Sequence, residues 1–194
     1  MAFSDYESKQ IRTALLREAR KCGATIGVRK TSVEQLTEAA GISKGSFYKF
    51  FDSKELLFFS VLENIHTEIY EIAKQALAQN ADIPPHARAE KALIAACKQL
   101  SDTGAMTFIE NDAEFLLRRL PEAVKQEHYH DDETHIRELL SESGLSPSGG
   151  MALATATIRG LILTVSHQQE IGVCYPEVLG LLIRGAMKEL FPQT

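Results

Sequence analysis

Lys44, Gly45, Ser46, Tyr48 and Lys49 bring two ammonium groups, two hydroxyls and a glycine into one short stretch. These are types that suit a polyanion. Lysines neutralise phosphates, hydroxyls bond phosphate oxygens, a helix start adds partial positive charge, and glycine admits close backbone approach. Glycine inside a helix costs about 1 kcal/mol relative to alanine, so Gly45 asks for a reason. The competing reading is an amphipathic helix whose lysines are simply solvated. A second cluster, EHYHDDETH at 127–135, compresses three histidines and four carboxylates. His128, Asp132 and His135 share a helix face, but their span rises about 10 Å, too far for all three to hold one ion. At most two could ligate, such as Asp132 and His135, with help from Glu110, Asp112, His66 or His167; a solvated polar face is the alternative. A di-iron enzyme would want paired E-x-x-H motifs: Glu63-x-x-His66 fits, Asp132-x-x-His135 approximates it, and Glu110 and Glu114 could complete the set. No nucleophile elbow, H-E-x-x-H, phosphate loop or dinucleotide fingerprint is present in the sequence. The chain is therefore read as a non-enzyme without a catalytic residue or cofactor.

The elements that must position these residues are helical. Ile11, Leu15, Ala19, Cys22 and Ile26 recur at intervals of three or four, and strict alternation is almost absent, so the expected fold class is all-α. Thr31-x-x-Glu34 and Asp52-x-x-Glu55 fit capping boxes and predict helices starting near 32 and 53. Pro84-Pro85, Pro121, Ser146-Pro147 and Pro176 sit where a proline can open a helix. About nine helices result. Between the first long helix and the one near 53 lie two short ones, 32–40 and 44 to about 51, joined by Gly41-Ile42-Ser43. Gly41 can end one helix in the left-handed conformation and Ser43 can cap the next, the corner of a helix-turn-helix. Val33, Leu36, Ala40, Ile42, Phe47 and Phe50 face a small core with Ile11, Leu15 and Ala19.

The 194 residues are 44% hydrophobic, enough for one compact body or a small domain joined to a larger one. A net charge of −5 looks wrong for a nucleic-acid binder, but it is unevenly spread. Residues 1–55 hold ten basic and seven acidic side chains, whereas 56–194 hold 11 and 19. The two parts are expected to meet different partners. Cys22, Cys97 and Cys174 suggest neither a disulfide framework nor a zinc site. With neither a signal sequence nor a membrane-length apolar run, the chain reads as soluble and cytoplasmic.

The stretch TSVEQLTEAAGISKGSFYKFFDSKELL resembles the DNA-binding signature of the TetR (tetracycline-repressor-like) transcriptional regulators. The resemblance rests on Thr31-Ser32-Val33, on 40–46, on Tyr48 with Phe51, and on Ser53-Lys54-Glu55. It covers about residues 8–58; beyond them only size and helical layout match. Thr37 departs from the alanine more usual there. The resemblance implies that Lys44, Gly45, Ser46, Tyr48 and Lys49 enter the major groove, with Thr31, Ser32, Ser43 and Lys54 on phosphates. It further implies a helix-turn-helix domain at 1–52 and an effector-binding and dimerisation domain at 53–194.

A helix-turn-helix protein reads too few base pairs alone and usually binds a two-fold operator as a homodimer. The two C-terminal helices combine apolar side chains with Gly149, Gly150, Ala152, Ala156, Gly160, Gly180, Gly185 and Ala186, and are the expected pairing surface. In the family that surface is a four-helix bundle, and the helix from 53 links reader to ligand cavity. His66, Tyr70, Phe108, Phe115, Leu116, Tyr129 and Ile162 are candidates to line that cavity, against the plainer reading that each is core. The expected function is a repressor released from double-stranded DNA by a small-molecule effector. Two alternatives use the same fold: a metal-responsive regulator using 127–135, and an architectural DNA-binding protein without ligand.

Overall fold

The computed structural model describes residues 3–192, with the backbone alone at 127–133 and 166. Among the described residues eleven α-helical stretches, some joined end to end through tighter or wider turns, make nine continuous segments. They are α1 (Asp5–Thr25), α2 (Val33–Ala39), α3 (Lys44–Phe47), α4 (Lys54–Gln79), α5 (Pro85–Asp102), α6 (105–117), α7 (Glu122–Glu142), α8 (151–171) and α9 (Tyr175–Leu190). Segment α6 carries a π turn at Ile109–Ala113, and α8 a 3-10 turn at Thr164–His167.

Local chemistry sets most helix starts. Ser4 and Glu7 form a reciprocal capping box on α1, and Ser32 and Gln35 form another on α2, with Ser32 N–H donating to Gln35 Oε1 at 2.8 Å. The Ser53 hydroxyl accepts from Leu56 N–H at 3.1 Å ahead of α4. The caps thus fall one residue later than Thr31-x-x-Glu34 and Asp52-x-x-Glu55 would put them. For α2 the reason is competition: the Thr31 hydroxyl donates to the Gly27 carbonyl at 2.8 Å, and Glu34 pairs with Lys44. Pro85 and Pro176 lie in the first turns of α5 and α9. Pro147 opens no helix. It belongs to a turn in which Gly150 N–H donates to its carbonyl, and α8 begins after Gly150.

The chain forms two compact units, residues 1–65 with 104–122 and residues 66–103 with 123–194. In the first, α1, α2, α3, the start of α4 and α6 enclose Leu15, Ala19, Leu36, Phe47, Leu57, Phe58, Phe108 and Leu116. Gly23 lets α6 close on α1, since a Cβ there would stand 2.9 Å from the Phe108 ring. In the second unit α5 lies along α9. Ala89, Ala92 and Ala96 are buried on α5, and Ile183, Met187 and Leu190 on α9. Each fully buried Leu, Ile, Phe or Met side chain stabilises its unit by roughly 1.5–3 kcal/mol before the entropy of ordering is subtracted.

Candidate nucleic-acid interface and effector cavity

The corner between α2 and α3 is closed by backbone bonds that its sequence permits. Gly41 has φ +68°, a left-handed conformation favouring glycine. Its N–H donates to Glu38, and Ile42 N–H reaches back to the Thr37 carbonyl at 3.0 Å. The Ser43 hydroxyl then accepts from Ser46 N–H at 3.2 Å and starts α3. Helix α3 is shorter than the expected 44–51. After one α turn it tightens, with Lys49 N–H donating to Ser46 and Phe50 N–H to Phe47. Behind it Phe47 is fully buried and Phe51 nearly so. The Arg12 guanidinium of α1 sits 4.3 Å over the Phe51 ring and donates to the Phe50 carbonyl.

The front carries the expected groups. Lys44, Gly45, Tyr48 and Lys49 are exposed and Ser46 is half-buried. An added Cβ at Gly45 would meet no atom nearer than Ser43 Oγ at 4.0 Å, so no packing within the chain requires this glycine. Tyr48 keeps half its surface in solvent and packs edge-on against Phe47. Lys44 bonds Glu34 of α2 at 2.6 Å, which holds the ammonium pKa up and the carboxyl pKa down. Both partners are largely exposed, so the pair is weak and exchangeable. Lys49 stands 5.7 Å from the Phe3 ring. Ser32 and Ser43 stay half-buried and exposed as helix caps.

Two of the phosphate-contact residues are placed otherwise. Thr31 is 2% exposed with its hydroxyl committed to Gly27, so it braces the turn before α2 rather than facing solvent. Lys54 donates to the Val28 carbonyl at 2.8 Å and to the Thr31 carbonyl at 2.7 Å, clasping that same turn to the start of α4. A residue unmarked by any sequence motif completes the clasp. Asp112, buried in the π turn of α6, accepts from Val28 N–H at 2.8 Å, with Arg29 Nε 4.0 Å away. Gly27 has φ +83°, and a Cβ there would come within 2.9 Å of the Asp112 carboxylate. No local pattern signals a contact between residues 84 positions apart.

The second unit contains an apolar cavity of about 60 Å³, walled by α4, α5, α7, α8 and α9. Tyr70 and Ile162 line it, with Ile69, Leu93, Leu140 and Met187 among the other walls. The Tyr70 ring also lies 4.8 Å from that of His135, tilted by 51°, and His135 is otherwise exposed. The remaining candidates separate from them. Phe108 and Leu116 are core of the first unit. Phe115, half-buried in that unit, lies beneath the guanidinium groups of Arg29 and Arg119. His66 is half-buried and absent from the cavity wall. Tyr129, His128 and Asp132 lie outside the described side chains. Among the described residues no three histidine, cysteine or carboxylate groups are gathered to hold a metal, and no helix is long and apolar enough to cross a membrane.

Residues 15–61 match the tetR family of bacterial regulatory proteins. Over 71 residues the chain is 35% identical to the HTH-type transcriptional repressor KstR2 of Rhodococcus jostii (strain RHA1); the match takes in 37% of this chain. It spans 35%, about a third, of that relative's length. The fold is similar to a TetR transcriptional regulator from Rhodococcus sp. RHA1 (TM-score 0.67, 16% identity, 94% of this chain and 96% of the other). It is also similar to a TetR/AcrR-family regulator from Thermobifida fusca YX-ER1 (TM-score 0.63, 21% identity, 91% and 96%). A third likeness is to the ketosteroid transcriptional regulator KstR2 of Mycobacterium tuberculosis (TM-score 0.56, 18% identity, 94% and 95%). At these identities the structures speak to fold alone.

Proposed function

We propose that this chain, whose residues 15–61 match the tetR family of bacterial regulatory proteins, is a ligand-responsive repressor of that family, acting as a homodimer on a palindromic operator in the cytoplasm. In this reading residues 1–52 read DNA and residues 53–194 sense the ligand and pair the subunits. The observation that carries it is the front of α3. Gly45 is unneeded by the fold, lies open to solvent, and is ringed by Lys44, Ser46, Tyr48 and Lys49. Such a surface fits the floor of a major groove, where backbone approaches closely and lysines meet phosphates.

Ligand response is supported by the cavity and by α4, whose residues 54–65 belong to the first unit and 66–79 to the second. A ligand that favours one setting of α4 would bias the spacing of the two reading helices in the dimer. The wall is apolar apart from the Tyr70 hydroxyl, so the effector has an apolar body. Selection of bound sequences from random duplex DNA by the full chain tests the reading. A palindromic product is expected, and a failure to enrich any sequence over the input would sink it.

A further inference from the structure

Glu34, in the first turn of α2, holds the Lys44 ammonium of α3 at 2.6 Å, with 60% and 58% of the two side chains exposed. A bridge so exposed contributes little to stability. Its place is what matters. In a helix-turn-helix the first helix crosses the phosphate backbone, and the N-terminal residues of the second meet base edges. Glu34 therefore sets a negative charge where phosphates arrive, and Lys44 opens the helix that reads bases. An ammonium has three N–H donors, of which Glu34 takes one. If Lys44 left for a phosphate, the carboxylate would be stranded beside the backbone and recruit a cation, so that no counterion would be released on balance. If Lys44 stays, its two remaining N–H groups can meet acceptors on a base edge, such as O6 and N7 of guanine.

We propose that Glu34 is a specificity-determining residue of the reader: it withholds the Lys44 ammonium from phosphates and presents its remaining N–H groups to a base edge. This rests on the reading of α3 as the DNA-reading helix, and it adds a residue of α2 that the family resemblance does not place on DNA. The gain is discrimination rather than affinity. Non-specific binding is carried by phosphate contacts and counterion release, so a reader that denies one lysine to phosphates holds random duplex more weakly. Where the right base offers acceptors, a lysine already held in place loses less rotamer freedom on binding than a loose one. Glu38 provides the comparison: it carries the same charge and is exposed one turn further along the same helix, while Lys44 is bonded to Glu34.

The test compares the full chain with Glu34→Gln, Glu38→Gln and the double variant Glu34→Gln/Lys44→Met, on random duplex and on the operator selected as above, across a range of salt. Glu34→Gln should bind random duplex roughly fivefold more tightly at about 0.15 M salt, with a slope of log affinity against log salt steeper by about 0.9, as one more phosphate is neutralised. Operator affinity should rise less, so the ratio of operator to random affinity falls severalfold. Glu38→Gln should keep the parent ratio. The double variant has the parent's net charge and should match it on random duplex, yet bind the operator roughly tenfold more weakly because the base contact is gone. An unchanged slope and ratio in Glu34→Gln, an equal loss of ratio in Glu38→Gln, or full operator affinity in the double variant overturns the inference. If selection enriches no sequence, the operator reading falls by itself, and the slope on random duplex still decides whether Glu34 withholds Lys44.

Discussion

At position 45 a methyl group would meet only the Ser43 hydroxyl, at an unstrained 4.0 Å, and the backbone there needs no left-handed conformation. Gly45→Ala should therefore leave the folded state as stable as before, or more stable by up to about 1 kcal/mol from helix propensity. Its effect should fall on DNA, where operator affinity drops by roughly 1–3 kcal/mol as the extra carbon holds the backbone off. A melting curve paired with an operator titration checks this; lowered stability with full affinity would mean the glycine serves the fold. Cys97 allows a second residue-scale prediction. It is 3% exposed, and burial pushes its thiol up to about 11 from an ordinary 9.0. Above pH 9 the unfolded chain loses this proton while the folded chain keeps it, so stability present below pH 9 is lost as pH rises towards 11. Cys22 shifts the same way through burial. Urea melts from pH 8 to 11 should show a fall that Cys97→Val makes shallower. At pH 8 a thiol reagent should reach exposed Cys174 first and Cys97 only on unfolding.

At the scale of elements, the turn between α1 and α2 is held from two sides, by Lys54 at the start of α4 and by Asp112 in the π turn of α6. Lys54→Met keeps the hydrocarbon stem and removes only the ammonium. It should cost about 1.5–3 kcal/mol of stability, the range for hydrogen bonds to a charged group. The slope of log affinity against log salt should stay unchanged; a lysine on a phosphate would instead lower it by about one. This clasp marks where sequence reasoning stops. The corner Gly41–Ser43, the cap at Ser43 and the period of α1 are legible because each follows from residue types that fix local backbone geometry. The cap of α2 falls one residue after the Thr31 motif because the Thr31 hydroxyl goes back to Gly27, and α3 ends at Phe47, short of 51, where its tightening goes with Arg12 from another helix. Aromatic residues at helical spacing declare that they are buried, but not in which unit. Phe108 and Tyr70 look alike in the sequence, yet one is core beside α1 and the other faces the cavity.

For the whole molecule, the decisive question is how one short reading helix becomes specific, and the answer proposed here is symmetry. Two half-sites about 34–36 Å apart, one turn of the duplex, demand two heads held at fixed spacing. In the proposed homodimer the surface that holds them is on α8 and α9. Leu153, Leu163, Leu181 and Leu182 are 53%, 61%, 66% and 42% exposed in the single chain, interleaved with Ala156, Gly160 and Gly185. Large apolar side chains in such a patch are costly in water, and small neighbours let two helix pairs approach closely. The body around them is acidic, −8 over 56–194. A carboxylate placed in the seam would face its own symmetry mate in an isologous contact, adding like-charge repulsion to lost burial. Leu181→Glu should accordingly yield a monomer by sedimentation, with unchanged helical content and operator affinity reduced by two orders of magnitude or more. The isolated half-site should be bound by mutant and parent heads alike, because the reading face is untouched. A Leu181→Glu chain that still sediments as a dimer and keeps full operator affinity would show that the subunits pair through another surface.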